Sequence, residues 1–149
     1  MEDPNITADT ISQVLLISWS IWHSKNQVSK YFHIKWNPPN HDQIKINFDG
    51  SERQGIASLG FDFRNANGQP IFAASKNLGP ASILIAAATA LRDALHAAQH
   101  YNFSRVLVEG DSKVLMDCIL KKIGTPWRIK TLVEDIWKIA SSFSFIRYF

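Results

Sequence analysis

The segment from Lys45 to Ser51 constrains the fold most, because apolar and polar residues alternate along it. The apolar side chains Ile46 and Phe48 fall on one face of an extended segment. Asn47 and Asp49 fall on the other face, which is the period of two expected of a half-buried β-strand. Asp49 is therefore predicted to leave the sheet at its edge, next to a glycine that allows close backbone approach.

A second acidic residue, Asp111, follows the predicted buried strand from Arg105 to Glu109. Carboxylates at the ends of neighbouring strands suit a hard divalent cation held on a rigid scaffold. The two acids therefore predict a metal site formed by Asp49 and Asp111. The structural alternative is that Asp111-Ser112 only caps a helix and that Asp49-Gly50 only forms a turn.

The pattern after Pro39 predicts three strands, a long helix, a strand, two helices and a last strand. The predicted bounds are about Gln43–Phe48, Ile56–Arg64, Pro70–Ala74, Ile83–His100, Arg105–Glu109, Ser112–Lys121, a helix from beyond Pro126 to about Ser141, and Ser144–Tyr148. Ser82 is predicted to cap the long helix, and Asn67-Gly68 to supply the positive backbone angles of a hairpin. This order favours an α/β fold in which a meander is followed by crossovers.

The first part of the chain has a helical period instead. Residues from about Thr10 to Phe32 predict an amphipathic helix, whose stripe is Ile11, Val14, Leu15, Ser18 and Trp22. We divide the chain into an N-terminal amphipathic helical segment (1–35), a proline-containing linker (36–42) and a domain (43–149). The apolar face of the helix needs a partner.

Composition indicates one globular domain with an attached segment, since the 149 residues are 46% apolar and 19% charged. The single Cys118 can form no internal disulfide, which favours a reducing, intracellular location in the nucleus or cytoplasm. The apolar run from Val14 to Ile17 is too short to cross a bilayer, so no membrane association is expected.

The net charge of +3 permits contact with a polyanion. Basic side chains surround one tryptophan between two predicted helices; the group is Lys121, Lys122, Trp127, Arg128 and Lys130. It predicts a nucleic-acid-binding surface, in which cations meet phosphates and the indole packs on a sugar or base. The alternative is a solvated helix end with Trp127 tucked into the core.

Several segments, in this order and spacing, resemble the plant ribonuclease H type 1 family, in particular domains derived from non-LTR retrotransposon reverse transcriptases. The matching segments are Trp36-Asn37-Pro38-Pro39, Lys45 to Gly50, Gly55, Gly60, Arg64-Asn65, Asn67-Gly68, Leu78-Gly79, Ala86 to Leu91 and Val108 to Val114. The resemblance implies an RNase H-like fold, with a mixed five-stranded sheet (a three-stranded meander followed by crossovers) flanked by helices.

The resemblance also implies an activity: hydrolysis of the RNA strand of an RNA–DNA hybrid by two Mg²⁺ or Mn²⁺ ions held between four carboxylates. Asp49 and Asp111 match two of these acids. Ala87 stands where the family has a helix Glu, and the chain reaches Phe149 before the segment that carries the fourth acid, so we expect a C-terminally truncated domain. Metal binding is expected to be weakened or lost, and cleavage impaired.

A second interpretation belongs to another functional class. In it the chain is a non-catalytic protein-interaction domain or a remnant of a retroelement. The apolar face of the N-terminal helix, formed by Ile11, Leu15, Trp19 and Trp22, would then bind a protein partner. Salt-dependent binding to an RNA–DNA hybrid distinguishes the two interpretations.

Overall fold

A computed structural model describes residues 38–149. The segment 1–35, the helix predicted from Thr10 to Phe32 and the first two residues of the linker lie outside the described residues. Within residues 38–149 the elements are β1 (Ile44–Arg53), β2 (Ile56–Arg64), β3 (Pro70–Pro80), α1 (Ile83–His100), β4 (Arg105–Gly110), α2 (Lys113–Ile119), a 3-10 turn (Trp127–Ile129), α3 (Lys130–Ala140) and β5 (Phe145–Tyr148).

The five strands form one sheet in the order β3-β2-β1-β4-β5. β1 pairs with β2, and β2 with β3, in antiparallel fashion. β4 pairs in parallel with β1 on one side and with β5 on the other. The predicted mixed sheet, a meander followed by crossovers, is therefore confirmed, and β1 lies at its centre.

Two strands are longer than the sequence predicts. β1 continues past Phe48 to Arg53, because Gln54 and Gly55 adopt positive φ angles of 53° and 80° and close a two-residue hairpin. The β1–β2 ladder therefore continues to the pair Arg53–Ile56. β3 extends past Ala74 to Pro80 and forms one edge of the sheet.

The second hairpin differs in detail from its prediction. Of the two turn residues Asn67 and Gly68, only Gly68 has a positive φ, of 76°. The positive φ predicted for Asn67 is therefore wrong. The turn is closed by the amide of Gly68, which donates to the carbonyl of Asn65 at 2.9 Å. The side-chain oxygen of Asn65 also accepts from the amide of Asn67 at 3.0 Å. Asn65 therefore organises this turn, as an Asx residue commonly does.

The hydrophobic core lies between the sheet and the three helices. Ile46 and Phe48 of β1 are 0% and 4% exposed, and they share one apolar cluster with residues from α1, α2 and α3. α1 begins as predicted, since the hydroxyl of Ser82 accepts from the amide of Ile85 at 3.3 Å. The alanines of α1 allow this helix to lie close to the strands.

The other face of β1 departs from the prediction of a half-buried strand. Lys45 is buried and forms an ion pair of 2.5 Å with Glu109 of β4. On β2, the buried Asp62 and Arg64 form a second ion pair of 2.8 Å. Side chains on both faces of the sheet are therefore buried at its centre.

The residues that precede β1 are also tied to the domain. Pro39 is buried, and the amide of Gln43 donates to the carbonyl of Asn40 at 2.9 Å. Asp42 pairs with Arg105 of β4 at 2.8 Å. The end of the predicted linker is thus a fixed turn. Within residues 38–149, no helix combines the length and the apolar character needed to span a bilayer.

Candidate functional site

Asp49 and Asp111 occupy adjacent positions where the β1–β4 ladder ends. The last parallel pair in that ladder is Phe48 with Gly110. Asp49 and Asp111 each follow a member of this pair, so they are the next two residues in register on strands about 5 Å apart. The sequence predicts that Asp49 ends the first strand. Asp49 lies within β1 instead, because β1 continues beside β2 as far as Arg53. It lies at the end of the pairing with β4.

Both aspartates line one cleft of about 270 Å³. The sheet side of this two-aspartate cleft also contributes Gly50 and Ser112. The facing wall is apolar and consists of Ile83, Leu84 and Ala87 from α1 and Val114 from α2. The structure therefore brings Asp49, Asp111 and Ala87 together, as the sequence predicts, while the roles of the two acids remain predictions.

Two helices begin at this cleft. Ile83 and Leu84 are the first residues of α1, and Ser112 is the N-cap of α2, where its hydroxyl accepts from the amide of Leu115 at 3.4 Å. The capping alternative is thus correct for Ser112. Helix N-termini carry partial positive charge, which favours anions nearby. Carboxylates or a phosphate at the rim therefore lie in a favourable field.

Gly50 explains how β1 and α1 approach each other. A Cβ atom at Gly50 would lie 2.4 Å from the backbone nitrogen of Ala87 and 2.8 Å from the carbonyl carbon of Ala86. Only a residue without a side chain fits there. The interpretation of Asp49-Gly50 as an ordinary turn is therefore wrong, since the glycine serves close strand–helix packing inside β1.

The other acids close to the cleft are engaged elsewhere. The carboxylate of Glu52 accepts a hydrogen bond from the amide of Gly55 in the β1–β2 hairpin. Glu109 pairs with Lys45, and Asp93 pairs with the arginine that precedes it on α1. In the part of the chain from 38 to 149, no three His, Cys, Asp or Glu side chains form a group that could hold a metal ion.

This set of donors does not fit a pair of divalent ions. A two-ion site needs carboxylates that bridge or flank both cations, whereas the cleft offers Asp49 and Asp111 on one side and the methyl group of Ala87 on the other. Two carboxylates suffice for one hard cation that keeps several of its waters. The described residues thus fit one weakly held ion at most.

The predicted basic surface is only partly assembled. Trp127 is 80% exposed, so the alternative of a buried indole is wrong, and the guanidinium of Arg128 lies 5.3 Å from its ring centre. Lys130, at the start of α3, is exposed. Trp127, Arg128 and Lys130 are close in sequence and all exposed, and we call them the Trp127 patch.

The two remaining lysines have other contacts. Lys121 lies over the ring of Trp137, 4.8 Å from its centre. Lys122 lies 3.9 Å from Asp117, whose pKa is held below its ordinary value chiefly by a hydrogen bond from Lys113. Both lysines remain exposed, and neither of these contacts involves Trp127.

The apolar wall is the part of the site that sequence reasoning misses. Ile83 and Val114, each in the first turn of a helix, are 57% and 47% exposed at the cleft. The sequence does contain a signal for this exposure. Each of the two is an apolar residue one or two positions after a serine cap, where the first helical turn must face outward. Their position shows that the cleft combines charge on one side with apolar contact on the other.

Three solved structures share this architecture. RNase H1 of the halophilic archaeon Halobacterium salinarum superposes with a TM-score of 0.68 at 20% identity, over 72% of this chain and 83% of that one. The N-terminal RNase H domain of a Mycobacterium tuberculosis protein, solved as a fusion with maltose binding protein, gives 0.67 at 21% identity, over 71% and 84%. LC11-RNase H1, isolated from compost and solved with an RNA/DNA hybrid, gives 0.64 at 21% identity, over 71% and 83%.

Sequence comparison leads to the same group. No curated protein sequence matches the chain significantly. The model of the family described as reverse transcriptase-like matches residues 47–148, a range that contains both aspartates, α1 and the Trp127 patch. The matched range is more than half of the chain, and its fold is that of RNase H. The chain therefore belongs to the reverse transcriptase-like family.

Proposed function

We propose that this chain is an RNase H-like nucleic-acid-binding domain that recognises an RNA–DNA hybrid and hydrolyses its RNA strand slowly or not at all. One observation carries the proposal. Asp49 and Asp111 line a single cleft, and the residue opposite them is Ala87. The cleft thus retains an acidic edge on an RNase H fold and lacks the helix carboxylate that the family resemblance requires.

Binding is supported by the surface and by one structural neighbour. LC11-RNase H1 was solved with an RNA/DNA hybrid, and it shares the fold of this chain. Trp127 is exposed beside Arg128, a combination that suits stacking on a sugar or base with a phosphate contact alongside. Recognition would depend on backbone phosphates and 2′-hydroxyls, as is usual for A-like duplexes.

Impaired hydrolysis is supported by the electrostatics of the cleft. A pair of unit charges ~4 Å apart is worth roughly 4 kcal/mol at an effective dielectric of about 20. Ala87 removes one such interaction between a carboxylate and the cation. Water that binds the cation instead compensates for part of the lost interaction energy. A remaining deficit of a few kcal/mol in the transition state corresponds to roughly a hundredfold slower reaction.

We propose Asp49 and Asp111 as the ligands of a single Mg²⁺ or Mn²⁺. Both acids lie on the same rim, and Mg²⁺ is often held by one or two carboxylates together with waters. The ion would screen the two carboxylates and allow a phosphate to approach. The described residues do not supply a second such site, so no hydrolytic step is assigned to them.

The finer origin of the domain is also a proposal. The segments that resemble the plant family and the family match over residues 47–148 support descent from the RNase H part of a plant retrotransposon reverse transcriptase. We propose residues 43–149 as that domain, with 36–42 as a linker and 1–35 as an attached segment. The buried, unpaired Cys118 supports an intracellular location.

The decisive experiment measures binding and cleavage of the same labelled RNA–DNA hybrid. We expect anisotropy to show binding that weakens steeply as salt is raised, because phosphate contacts release counterions. We expect cleavage in Mg²⁺ or Mn²⁺ to be at or near background. Asp49→Asn serves as the matched control, since it removes one charge and keeps the shape of the side chain.

Three outcomes would overturn the proposal in whole or in part. Rapid cleavage that Asp49→Asn abolishes would show that Asp49 and Asp111 are sufficient for catalysis. Absence of hybrid binding at low salt, where phosphate contacts are strongest, would favour the remnant or protein-interaction alternative. Equal affinity for hybrid and double-stranded DNA would keep nucleic-acid binding but reject hybrid recognition.

A further inference from the structure

The sheet has a second face that the described helices do not cover. α1, α2 and α3 all contribute to the apolar cluster that packs on Ile46 and Phe48. The opposite face, here called the polar sheet face, is formed by neighbouring residues of β2, β1 and β4. Its members are Arg64, Asp62, Lys45, Asn47, Leu107 and Glu109, which are paired in register across the three strands.

This face is nevertheless buried at its centre. The side chains of Lys45 and Asp62 are each 6% exposed and that of Arg64 is 10% exposed. Leu107 is also buried, although it is not a member of the helix-side cluster. Charged side chains rarely reach this degree of burial. Neighbours on the same sheet cover the sides of such groups and leave their tips open.

The burial is deepest in a central strip. On the same face by register, Ala73 of β3 and Phe145 of β5 are half-buried, and Ser75 of β3 and Arg147 of β5 are exposed. The strip therefore covers three strands, or about 10 Å, which is close to the diameter of one helix. An additional layer about one helix wide is needed to explain this pattern, and the helices of residues 38–149 lie on the other side.

The chain has a segment of suitable length and character. Residues 10–22 contain no Asp, Glu, Lys or Arg, and the sequence predicts them as the apolar part of an amphipathic helix. A helix of that length spans about 20 Å. The chain enters the sheet at β1, the central strand, so a segment that precedes β1 starts beside the strip.

Charge and shape agree with this occupant. The charged members of the polar sheet face form two ion pairs, Lys45–Glu109 and Arg64–Asp62, and so present opposite charges in equal number. An uncharged segment can lie over paired charges without leaving a charge of its own buried. Aromatic residues in this segment can pack on the aliphatic stems of Lys45 and Arg64.

We propose that residues 10–22 of this chain pack across the polar sheet face, over β2, β1 and β4. The two-aspartate cleft and the Trp127 patch play no part in this contact. The N-terminal segment thereby becomes a structural layer of the domain, and its apolar stripe is occupied within the chain.

The experiment uses the full chain with one reporter cysteine. Leu107→Cys is introduced together with Cys118→Ala, and its rate of reaction with a maleimide is measured. Ser75→Cys on the same face reports the rate of an exposed thiol. We expect Leu107→Cys to react at least tenfold more slowly, and to approach the exposed rate when Leu15→Asp is added.

Gln13→Asp is the matched control, because it adds the same charge on the side of the predicted helix opposite the apolar stripe. It should leave the protection unchanged. Hydroxyl-radical footprinting of Leu107 in the chain without new cysteines provides a second readout if Leu107→Cys fails to fold. Low oxidation that rises in Leu15→Asp supports the contact.

Three results would overturn the proposal. A Leu107→Cys thiol that reacts as fast as that of Ser75→Cys in the full chain would show that the polar sheet face is open to solvent. Protection that Leu15→Asp does not alter would exclude the N-terminal segment as its cause. Protection that grows with protein concentration would identify a second copy of the chain as the cover.

Discussion

Asp111 lies beside Asp49, one residue beyond the final pair of the β1–β4 ladder, and α1 presents Ala87 to the same cleft. The relationship follows from the parallel register, which fixes both acids at one level of the sheet. Because Asp49 lies in β1 and Asp111 directly follows β4, the pairing of these two strands largely sets the separation of the acids. The rim is thus a rigid scaffold whose chemistry can be altered at position 87.

Ala87→Glu should strengthen divalent metal binding. A carboxylate at this position faces Asp49 and Asp111 across the cleft and adds one negative charge to the donor set. We expect at least a tenfold tighter Mn²⁺ affinity by titration calorimetry, which corresponds to about 1.4 kcal/mol. Ala87→Gln is the matched control, since it adds the same bulk without charge. Equal affinity in both variants would exclude position 87 from the site.

Gly50→Ala should destabilise the domain. Its methyl group would lie 2.4 Å from the backbone nitrogen of Ala87, so α1 or β1 would have to shift. Overpacking of this kind typically costs about 1–3 kcal/mol, which urea unfolding would detect. Gly124→Ala is the control, because no atom lies within 4 Å of a Cβ there. That variant should change stability by less than about 0.5 kcal/mol.

Lys45→Met should cost more stability than the double variant Lys45→Met with Glu109→Met. The single change removes the 2.5 Å contact of Glu109, whose side chain is 29% exposed, with the buried Lys45. Loss of one member of a fully buried pair typically costs roughly 3–5 kcal/mol, so a smaller cost is expected here, whereas apolar replacement of both is often close to neutral. Chemical unfolding of the wild type, both single variants and the double variant gives the coupling energy. Additive effects would contradict a coupled pair.

Tyr148 should make the domain less stable in alkaline solution. Burial raises the pKa of Tyr148 to about 12. An unfolded chain loses its phenol proton near pH ~10 while the folded chain keeps it, so the stabilisation is complete below pH ~10 and falls between pH ~10 and ~12. The total loss should be roughly 2–3 kcal/mol, since each pKa unit corresponds to about 1.4 kcal/mol.

Tyr148→Phe should remove that pH dependence. The hydroxyl of Tyr148 has no hydrogen-bond partner among residues 38–149, so its deletion should be neutral or stabilise the protein by about 1 kcal/mol at neutral pH. Tyr101→Phe is the control, because it removes the same hydroxyl from a tyrosine that is 49% exposed. Unfolding curves of the two variants at neutral and alkaline pH would show which tyrosine is responsible.

Trp127→Ala should weaken hybrid binding without affecting the fold. Trp127 is 80% exposed, and stacking of one base on an aromatic ring contributes roughly 1–3 kcal/mol. We expect about a tenfold or greater loss of affinity by anisotropy, with an unchanged unfolding midpoint. Ile71→Ala removes another exposed apolar side chain, on edge strand β3, and should bind normally. Identical affinities would exclude the Trp127 patch from the interface.

Much of the fold follows from local pattern. Alternation along β1 and β2, the alanine content of α1 and the Ser82 cap all act within a few residues, so their elements occur where the sequence predicts them. The bounds of β1 and β3 do not follow in this way. They depend on the hairpin at Gln54-Gly55 and on pairing with β2, which are relationships between strands.

The candidate site also combines features that local sequence predicts with features that depend on how the elements pack. Asp49 and Asp111 can be predicted because each follows a strand and resembles a known motif. The burial of Lys45, the exposure of Trp127 and the apolar wall at Ile83 and Val114 depend on which elements pack together. A helix start or a polar strand face has the same sequence pattern whether or not another layer covers it.

No strand of residues 38–149 pairs with the outer side of β3, and an unpaired edge can recruit a strand from another molecule. Pro70 and Pro80 stand at its two ends, and the β2–β3 register shifts near both, between Ala57 and Ser58 and between Phe63 and Arg64. Prolines, irregular pairing and the charge of Lys76 all hinder the addition of a further strand. The molecule thereby carries its own protection against edge-to-edge aggregation on the side of the sheet farthest from β5.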